Sequence, residues 1–156
     1  MGALVSEEHT QKVLSYIETG MKEADLLAGG RRVLLESGGC FIEPTIFYGA
    51  RPNSKIMCDE IFGPVLSVSS FEDESEGVRL VNDTIYGLGA SIWTDQLSQA
   101  HRVSRLLKVG SVSVNTVDHV DVRTPFGGCK QSGNARDLSL RSIEKYTDVK
   151  TTWIAL

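Results

Sequence analysis

The chain has 156 residues, about the usual size of one domain, and its 41% hydrophobic and 23% charged residues are typical of a soluble globular protein. It has no apolar run near the roughly 18 residues of a membrane span, and MGALVSEEHT at the N-terminus lacks the features of a secretion signal, so we expect a cytoplasmic protein without a membrane partner. The net charge of −4, with acidic and basic residues interspersed, argues against a nucleic-acid partner.

The three cysteines, Cys40, Cys58 and Cys129, are widely spaced and odd in number. They form no Cys-x-x-Cys pair and have no histidine at ligand spacing, so the sequence predicts neither a disulfide framework nor a metal site. A nucleophilic thiol needs a base, a cation or a helix N-terminus nearby, and none is evident beside Cys58 or Cys129. We therefore expect inert thiols, and no catalytic residue among them.

The first half of the chain alternates helical and extended patterns. Val13, Leu14, Ile17 and Met21 lie at helical spacing behind Ser6, a good N-cap, which predicts an amphipathic helix. Short apolar and β-branched runs then predict strands at ADLLAGG (24–30), FIEPTIF (41–47) and PVLSVSSF (64–71).

The second half repeats the alternation, with a helix predicted at 74–83 and a strand at 89–94. The clearest helix is 95–110, which Thr94 or Asp95 is expected to cap and which Lys108 and Gly110 are expected to end. It feeds a predicted strand at 110–116, and a short helix is expected around 138–146. The apolar stripe of the 95–110 helix comprises Leu97, Ala100, Val103 and Leu107.

Strands that alternate with helices of this length predict βαβ units, and hence an α/β fold with a mostly parallel sheet flanked by helices. The last segment, TDVKTTWIAL (147–156), is rich in β-branched and aromatic residues and has no helix after it. A strand in that place leaves unpaired backbone groups at an edge, so we expect it to pair with another chain or with a missing segment.

Residues 58–65, CDEIFGPV, combine a thiol, two carboxylates, an aromatic ring and a Gly-Pro turn. A carboxylate just before a turn can accept two hydrogen bonds from a sugar diol, and Phe62 can pack on a flat ring beside it, an arrangement that suits a nucleotide. The alternative is structural: Pro64 begins a strand, Phe62 joins the core and the acids are solvated. The residues alone leave both interpretations open.

The longest irregular stretch, 116–137, is long enough to favour a functional loop, and His119 within it is a site candidate. At its end, PFGGCKQSG (125–133) has paired glycines that allow close approach of backbone or ligand. Cys129 and Gln131 interrupt the pattern of a phosphate-binding loop. Taken alone, this motif favours a tight loop with a packing role.

Four motifs in register resemble the C-terminal part of aldehyde dehydrogenases. They are EIFGP (60–64), VNDTIYGLGASIWT (81–94), GSVSVN (110–115) and PFGGCKQSG (125–133). The tail GCKQSGNARDLSL is most similar to γ-glutamyl-γ-aminobutyraldehyde dehydrogenases of putrescine breakdown, with betaine-aldehyde-type enzymes next. The resemblance implies a partial α/β catalytic domain over residues 1–146 and an oligomerisation strand over 147–156.

The resemblance also implies binding roles. Glu60 is expected to bind the nicotinamide ribose hydroxyls of NAD or NADP, and Phe62 to pack beside the nicotinamide. Phe126 is expected to line the aldehyde tunnel, with Asp118, His119 and Val120 at its mouth. Asp118 and Asp121 are candidates for favouring a substrate that carries an amine or amide.

The family's nucleophilic cysteine, base glutamate and cofactor domain have no counterpart in these residues, and neither Cys58 nor Cys129 matches the nucleophile. We therefore expect the isolated chain to be inactive. In a full-length parent it would serve an enzyme that oxidises an aldehyde substrate. The second hypothesis, from a different class, is a non-catalytic interaction module that joins other subunits through residues 147–156.

Overall fold

The structure is a computed structural model that describes all of residues 1–156. The chain divides into two compact units, residues 1–72 and residues 73–156, and each is described by itself.

Unit 1 contains two helices and five strands. They are α1 (Glu7–Glu23), β1 (Asp25–Ala28), β2 (Arg32–Val33), β3 (Phe41–Ile42), β4 (Thr45–Tyr48), α2 (Lys55–Cys58) and β5 (Val65–Val68), with a 3-10 turn at Leu35–Ser37.

Unit 2 contains two helices and two strands, followed by two 3-10 helices. They are α3 (Glu74–Asn82), β6 (Gly89–Ile92), α4 (Leu97–Leu106), β7 (Ser111–Val114) and the 3-10 helices at Lys130–Ser132 and Leu140–Tyr146.

The strand pairings confirm the α/β class. In unit 1 the strands lie in the order β1-β4-β5, with β4 and β5 parallel and β1 added antiparallel at the edge, while β2 and β3 form a separate antiparallel pair. In unit 2, β6 and β7 are parallel, and α4 is the crossover between them. The two parallel pairs are the regular part of the sheets, since each aligns four residues without a register shift.

The core of unit 1 forms where α1 packs beside β4. Ile17 and Val13 of α1 are fully buried with Phe47 of β4, and Gly20 lies so near the Phe47 ring that a Cβ there would come within 2.6 Å of Cζ. The predicted N-cap is confirmed, because the Ser6 hydroxyl accepts a hydrogen bond from the His9 amide at 3.1 Å.

Helix α4 differs from the prediction at both ends. It begins after Gln96, and the Thr94 hydroxyl accepts from the Gln96 amide rather than capping the helix itself. It ends at Leu106, because the Asn82 side chain donates to the Leu106 carbonyl at 2.9 Å and accepts from the Lys108 amide at 2.7 Å. Lys108 therefore lies outside the helix.

The predicted apolar stripe of α4 is also wrong in part. Ala100 is buried, but Leu97 is 73% exposed and Leu107 has already left the helix with an extended backbone. The expected short helix near 138–146 is present as a 3-10 helix over Leu140–Tyr146, which follows two residues with positive φ, Leu138 and Ser139.

Backbone passes very close to backbone in unit 2. A Cβ on Gly110, the residue before β7, would overlap the carbonyl oxygen of Gly127. Lys130 fixes the same region, since its ammonium donates to the carbonyls of Asn82 at 2.9 Å and Thr84 at 3.0 Å. The paired glycines of 125–133 therefore have the packing role that the residues alone favoured.

Residues 147–156 are exposed and form neither a helix nor a strand within the chain. Trp153, for example, is 93% exposed. The domain boundary at 146/147 and the pairing of this segment with another chain stay predictions. None of the helices combines the length and apolar character that crossing a membrane requires.

We predict that Ile17→Ala lowers the free energy of unfolding by about 2–5 kcal/mol, because it opens a cavity at the fully buried centre of unit 1. Glu18→Ala, at the next and exposed position of α1, is the control and should change stability by less than about 0.5 kcal/mol. Urea denaturation measures both. Equal effects of the two substitutions would contradict the assigned core.

We predict that Gly110→Ala destabilises unit 2 by about 1–3 kcal/mol, because the added methyl group cannot coexist with the Gly127 carbonyl without a backbone shift. Gly89→Ala is the matched control, since a Cβ there meets nothing nearer than the Ser111 hydroxyl at 3.4 Å. Thermal melts of the two variants separate them. The description of the close approach is wrong if Gly110→Ala melts like the parent.

Candidate functional site

The segment that carries EIFGP begins at a side-chain cap. Helix α2 starts after Ser54, but its first free amides, those of Lys55 and Ile56, donate to the two carboxylate oxygens of Glu23 at 3.2 and 3.3 Å. Glu23 is the last residue of α1. The end of one helix therefore sets the start of the turn that delivers residues 59–64.

Side chains in this segment alternate between core and solvent. Ile61 is 8% exposed and belongs to the core of unit 1, whereas Phe62 is 72% exposed and has the left-handed backbone, with φ of 58°. The alternative in which Phe62 joins the core is wrong, because Ile61 occupies that place. A left-handed backbone at a non-glycine residue costs about 1–3 kcal/mol and is kept only where neighbours enforce it.

Glu60 lies two residues before Phe62 in the same segment. It is exposed, and its carboxylate makes no hydrogen bond or ion pair within the chain. The neighbouring Asp59, by contrast, accepts from the Tyr16 hydroxyl at 3.0 Å. Of the two acids, only Glu60 offers a carboxylate whose acceptor positions are all available, close in sequence to a solvent-facing aromatic ring.

The second candidate region is a cavity of about 390 Å³ in unit 2. Its floor is the parallel pair β6 and β7, and its rim is formed by residues 117–120 and 124–126. All four predicted substrate residues in this unit line the cavity: Asp118, His119, Val120 and Phe126. The structure therefore brings these four residues together, although they come from two parts of the loop.

Three serines of the strands also line this cavity, and the sequence interpretation did not include them. They are Ser91, Ser111 and Ser113. The small residues of GAS (89–91) and SVS (111–113) could have indicated the cavity, because they leave space over the sheet that larger side chains would fill. Asp118 is placed at the rim by a left-handed backbone with φ of 47°.

Asp121 does not serve as a free anion. Two guanidinium nitrogens of Arg123 donate hydrogen bonds to the Asp121 carboxylate, at 2.9 and 2.6 Å, and the Arg123 backbone amide donates to the same carboxylate. These hydrogen bonds lower the pKa of Asp121 from 3.8 to about 2. The contacts of Asp121 therefore do not support the expectation that it favours a substrate with an amine or amide. Asp118 is the acid that lines the cavity.

The Cys58 and Cys129 thiols each donate a hydrogen bond to a backbone carbonyl. The Cys58 thiol donates to Pro52 at 3.2 Å, and the Cys129 thiol donates to Lys108 at 3.0 Å. Neither contacts a base or a cation, so the structure provides no activation for a nucleophile. Both are consistent with inert thiols.

We predict that Asp121 titrates with a pKa of about 2 in the folded chain and that Arg123→Leu returns the pKa toward 3.8. Because the folded pKa is lowered, the ion pair stabilises the fold above about pH 4, and this contribution is lost as the pH falls from about 4 to about 2. Carboxyl carbon shifts measured by NMR report the titration. A normal pKa in the parent chain would show that the Arg123 contact is absent in solution.

Comparison with known proteins gives a consistent result. The sequence matches the aldehyde dehydrogenase family over residues 1–152. It is 49% identical over 156 residues to the NADP/NAD-dependent aldehyde dehydrogenase PuuC of Escherichia coli. The alignment covers 100% of this chain and 31% of PuuC.

Two solved structures agree with the fold. Indole-3-acetaldehyde dehydrogenase AldA of P. syringae, in complex with NAD⁺ and IAA, has a TM-score of 0.94 and 51% identity over 100% of this chain and 32% of its own. Gamma-glutamyl-gamma-aminobutyraldehyde dehydrogenase of Burkholderia cenocepacia has a TM-score of 0.93 and 53% identity over 97% of this chain and 31% of its own.

The chain thus spans about a third of the length of the relatives it matches. Within that third, the match includes EIFGP with its free carboxylate and projecting ring, and the loop that borders the cavity of unit 2. The chain belongs to the aldehyde dehydrogenase family.

Proposed function

We propose that this chain supplies the C-terminal part of an NAD(P)-dependent aldehyde dehydrogenase, an oxidoreductase that converts an aldehyde into a carboxylic acid. The observation that carries the proposal is the pair formed by Glu60 and Phe62. An exposed carboxylate with no internal partner comes two residues before an exposed aromatic ring on a left-handed backbone, within a sequence that belongs to this family.

The residues fit a nicotinamide nucleotide. The ribose of such a cofactor has two adjacent hydroxyls, both of which can donate to the oxygens of one carboxylate, as Glu60 offers. Phe62 offers an exposed ring on which a flat heterocycle packs. When bound, the nicotinamide supplies the hydride acceptor for the oxidation, and this chain's part is to bind and orient it.

The cavity of unit 2 is proposed to form part of the aldehyde site. Phe126 and Val120 provide apolar lining, while Asp118 and His119 add polar groups at the rim. An uncompensated carboxylate at Asp118 favours an aldehyde with an amine or amide function. We propose an amino-aldehyde such as γ-glutamyl-γ-aminobutyraldehyde, because the relative from B. cenocepacia is named for that substrate, and hence a role in putrescine degradation.

An active enzyme needs groups that these residues are proposed not to supply. Because neither Cys58 nor Cys129 contacts an activating group, the nucleophile, the base and the cofactor domain are proposed to come from outside these residues, and the isolated chain is proposed to be inactive. Residues 147–156 are proposed to pair with a second copy or with the remainder of the enzyme. The cytoplasmic location stays a prediction.

The second candidate function is a non-catalytic interaction module. The observation in its favour is the fully exposed segment 147–156, whose Trp153 and Ile154 side chains face solvent. A pull-down with a full-length relative tests it. Removal of residues 147–156 should abolish capture, and failure of the intact chain to capture any subunit would exclude this function.

We predict that a chimera in which these 156 residues replace the matching third of E. coli PuuC oxidises aldehydes with NAD⁺ or NADP⁺. In it, Glu60→Gln should lower kcat/KM for the cofactor about 10- to 100-fold, the range expected for loss of hydrogen bonds to a charged acceptor. Glu36→Gln, at another exposed carboxylate of unit 1, is the control and should have no effect.

Steady-state kinetics with the cofactor varied provide the measurement. The proposal is contradicted by a folded chimera that lacks aldehyde oxidation, and its cofactor assignment by a Glu60→Gln variant with unchanged cofactor kinetics.

A further inference from the structure

The backbone of Phe62 is held at an unusual conformation without help from its own side chain. The φ of 58° is sterically unfavourable for any residue with a Cβ, and the 72% exposed ring has few contacts that could offset this. Whatever holds this peptide must therefore act through its main-chain groups or through its neighbours.

One such group is held by a side chain far away in sequence. The carbonyl oxygen of Phe62 lies 2.7 Å from Nε2 of His9. Because a carbonyl oxygen can only accept, Nε2 carries the hydrogen and the imidazole donates. His9 is half-buried in the first turn of α1, and its own amide is fixed by the Ser6 cap.

Gly63, the residue after Phe62, packs against the same face of α1. Val13 lies one helical turn after His9 and is fully buried, and a Cβ on Gly63 would come within 2.7 Å of its Cγ1. On the other side, Ile61 is anchored in the core. Phe62 thus sits between two packed residues, and the imidazole of His9 makes the side-chain contact to its peptide.

We infer that His9 is a positioning residue for the Phe62 ring. By donating to the Phe62 carbonyl, the imidazole selects the left-handed backbone that directs the ring to solvent, two residues after the exposed Glu60. This inference rests on the proposed function for its consequence, the orientation of a nicotinamide nucleotide, but the link between His9 and Phe62 is a property of the chain itself.

His9 is half-buried and lies outside the apolar core of unit 1, to which α1 contributes the buried side chains of Val13 and Ile17. Substitution of His9 should therefore change Phe62 without unfolding the helix. Glutamine is the conservative replacement because its amide donates at a similar reach, whereas leucine fills the space and donates nothing. His101→Leu, which removes an exposed imidazole from α4, is the matched control.

The first test is NMR of the 156-residue chain and its three variants. The Phe62 coupling between amide and Hα, together with its Cα and Cβ shifts, reports the sign of φ. We expect the left-handed values in the parent, His9→Gln and His101→Leu. In His9→Leu they should be lost or averaged at Phe62 and Gly63 while β4 keeps its shifts.

Left-handed values that persist at Phe62 in His9→Leu would overturn the inference. If His9→Leu does not fold, His9→Gln provides the test. A folded His9→Gln variant that loses the left-handed NMR values at Phe62 would equally overturn the inference that His9 positions Phe62.

The second test measures the consequence in the PuuC chimera. His9→Leu should raise KM for the cofactor about five- to tenfold, the scale of one lost hydrogen bond, with KM for the aldehyde unchanged and His9→Gln within about twofold of the parent. Adding His9→Leu to Phe62→Ala should have no further effect, because the ring that is positioned is already gone.

These outcomes separate the two proposals. If Phe62→Ala leaves KM for the cofactor unchanged, the cofactor role of Phe62 is wrong, and the NMR result still decides whether His9 sets its backbone. If Phe62→Ala raises KM and His9→Leu does not, the positioning role of His9 is wrong and the proposed function stands.

Discussion

Helix α1 packs on β4 where the Phe47 ring meets Gly20, and this contact sets how closely the helix approaches the strand in the core of unit 1. A larger residue at position 20 would hold the helix away from the strand. With the helix in place, its side chains reach the 55–63 segment at both ends: Glu23 caps α2, and His9 holds the Phe62 carbonyl. The same helix that completes the core therefore also shapes the candidate cofactor surface.

Unit 2 depends on side chains that bind main-chain groups across long sequence separations. Asn82 ends α4, Lys130 ties two carbonyls near the end of α3, and Asn115 bridges the ends of β6 and β7 by both donating to and accepting from Thr94. These residues all belong to motifs that carry the family resemblance. In this chain they stabilise the frame around the cavity, and the predicted binding residues lie in the loop that the frame supports.

Local rules predicted the features that local residues determine. The cap at Ser6, the burial of Val13 and Ile17 in α1 and the βαβ order followed from spacing alone, whereas Met21 of the predicted α1 stripe is 49% exposed. The end of α4 was missed because its determinant, Asn82, lies 24 residues before Leu106, and the left-handed Phe62 was missed because His9 lies 53 residues away. Motif resemblance gave Glu60, Phe62 and the cavity residues as candidates, but no pattern shows that Arg123 neutralises Asp121.

Glu60 and Phe62 are proposed to form a nicotinamide nucleotide contact together. A crystal structure of the PuuC chimera soaked with NAD⁺ tests it most directly. We expect the Glu60 carboxylate to lie within hydrogen-bond distance, about 2.5–3.0 Å, of the ribose hydroxyls, and the Phe62 ring to pack against the nicotinamide. Bound NAD⁺ whose nicotinamide riboside touches neither residue would contradict it.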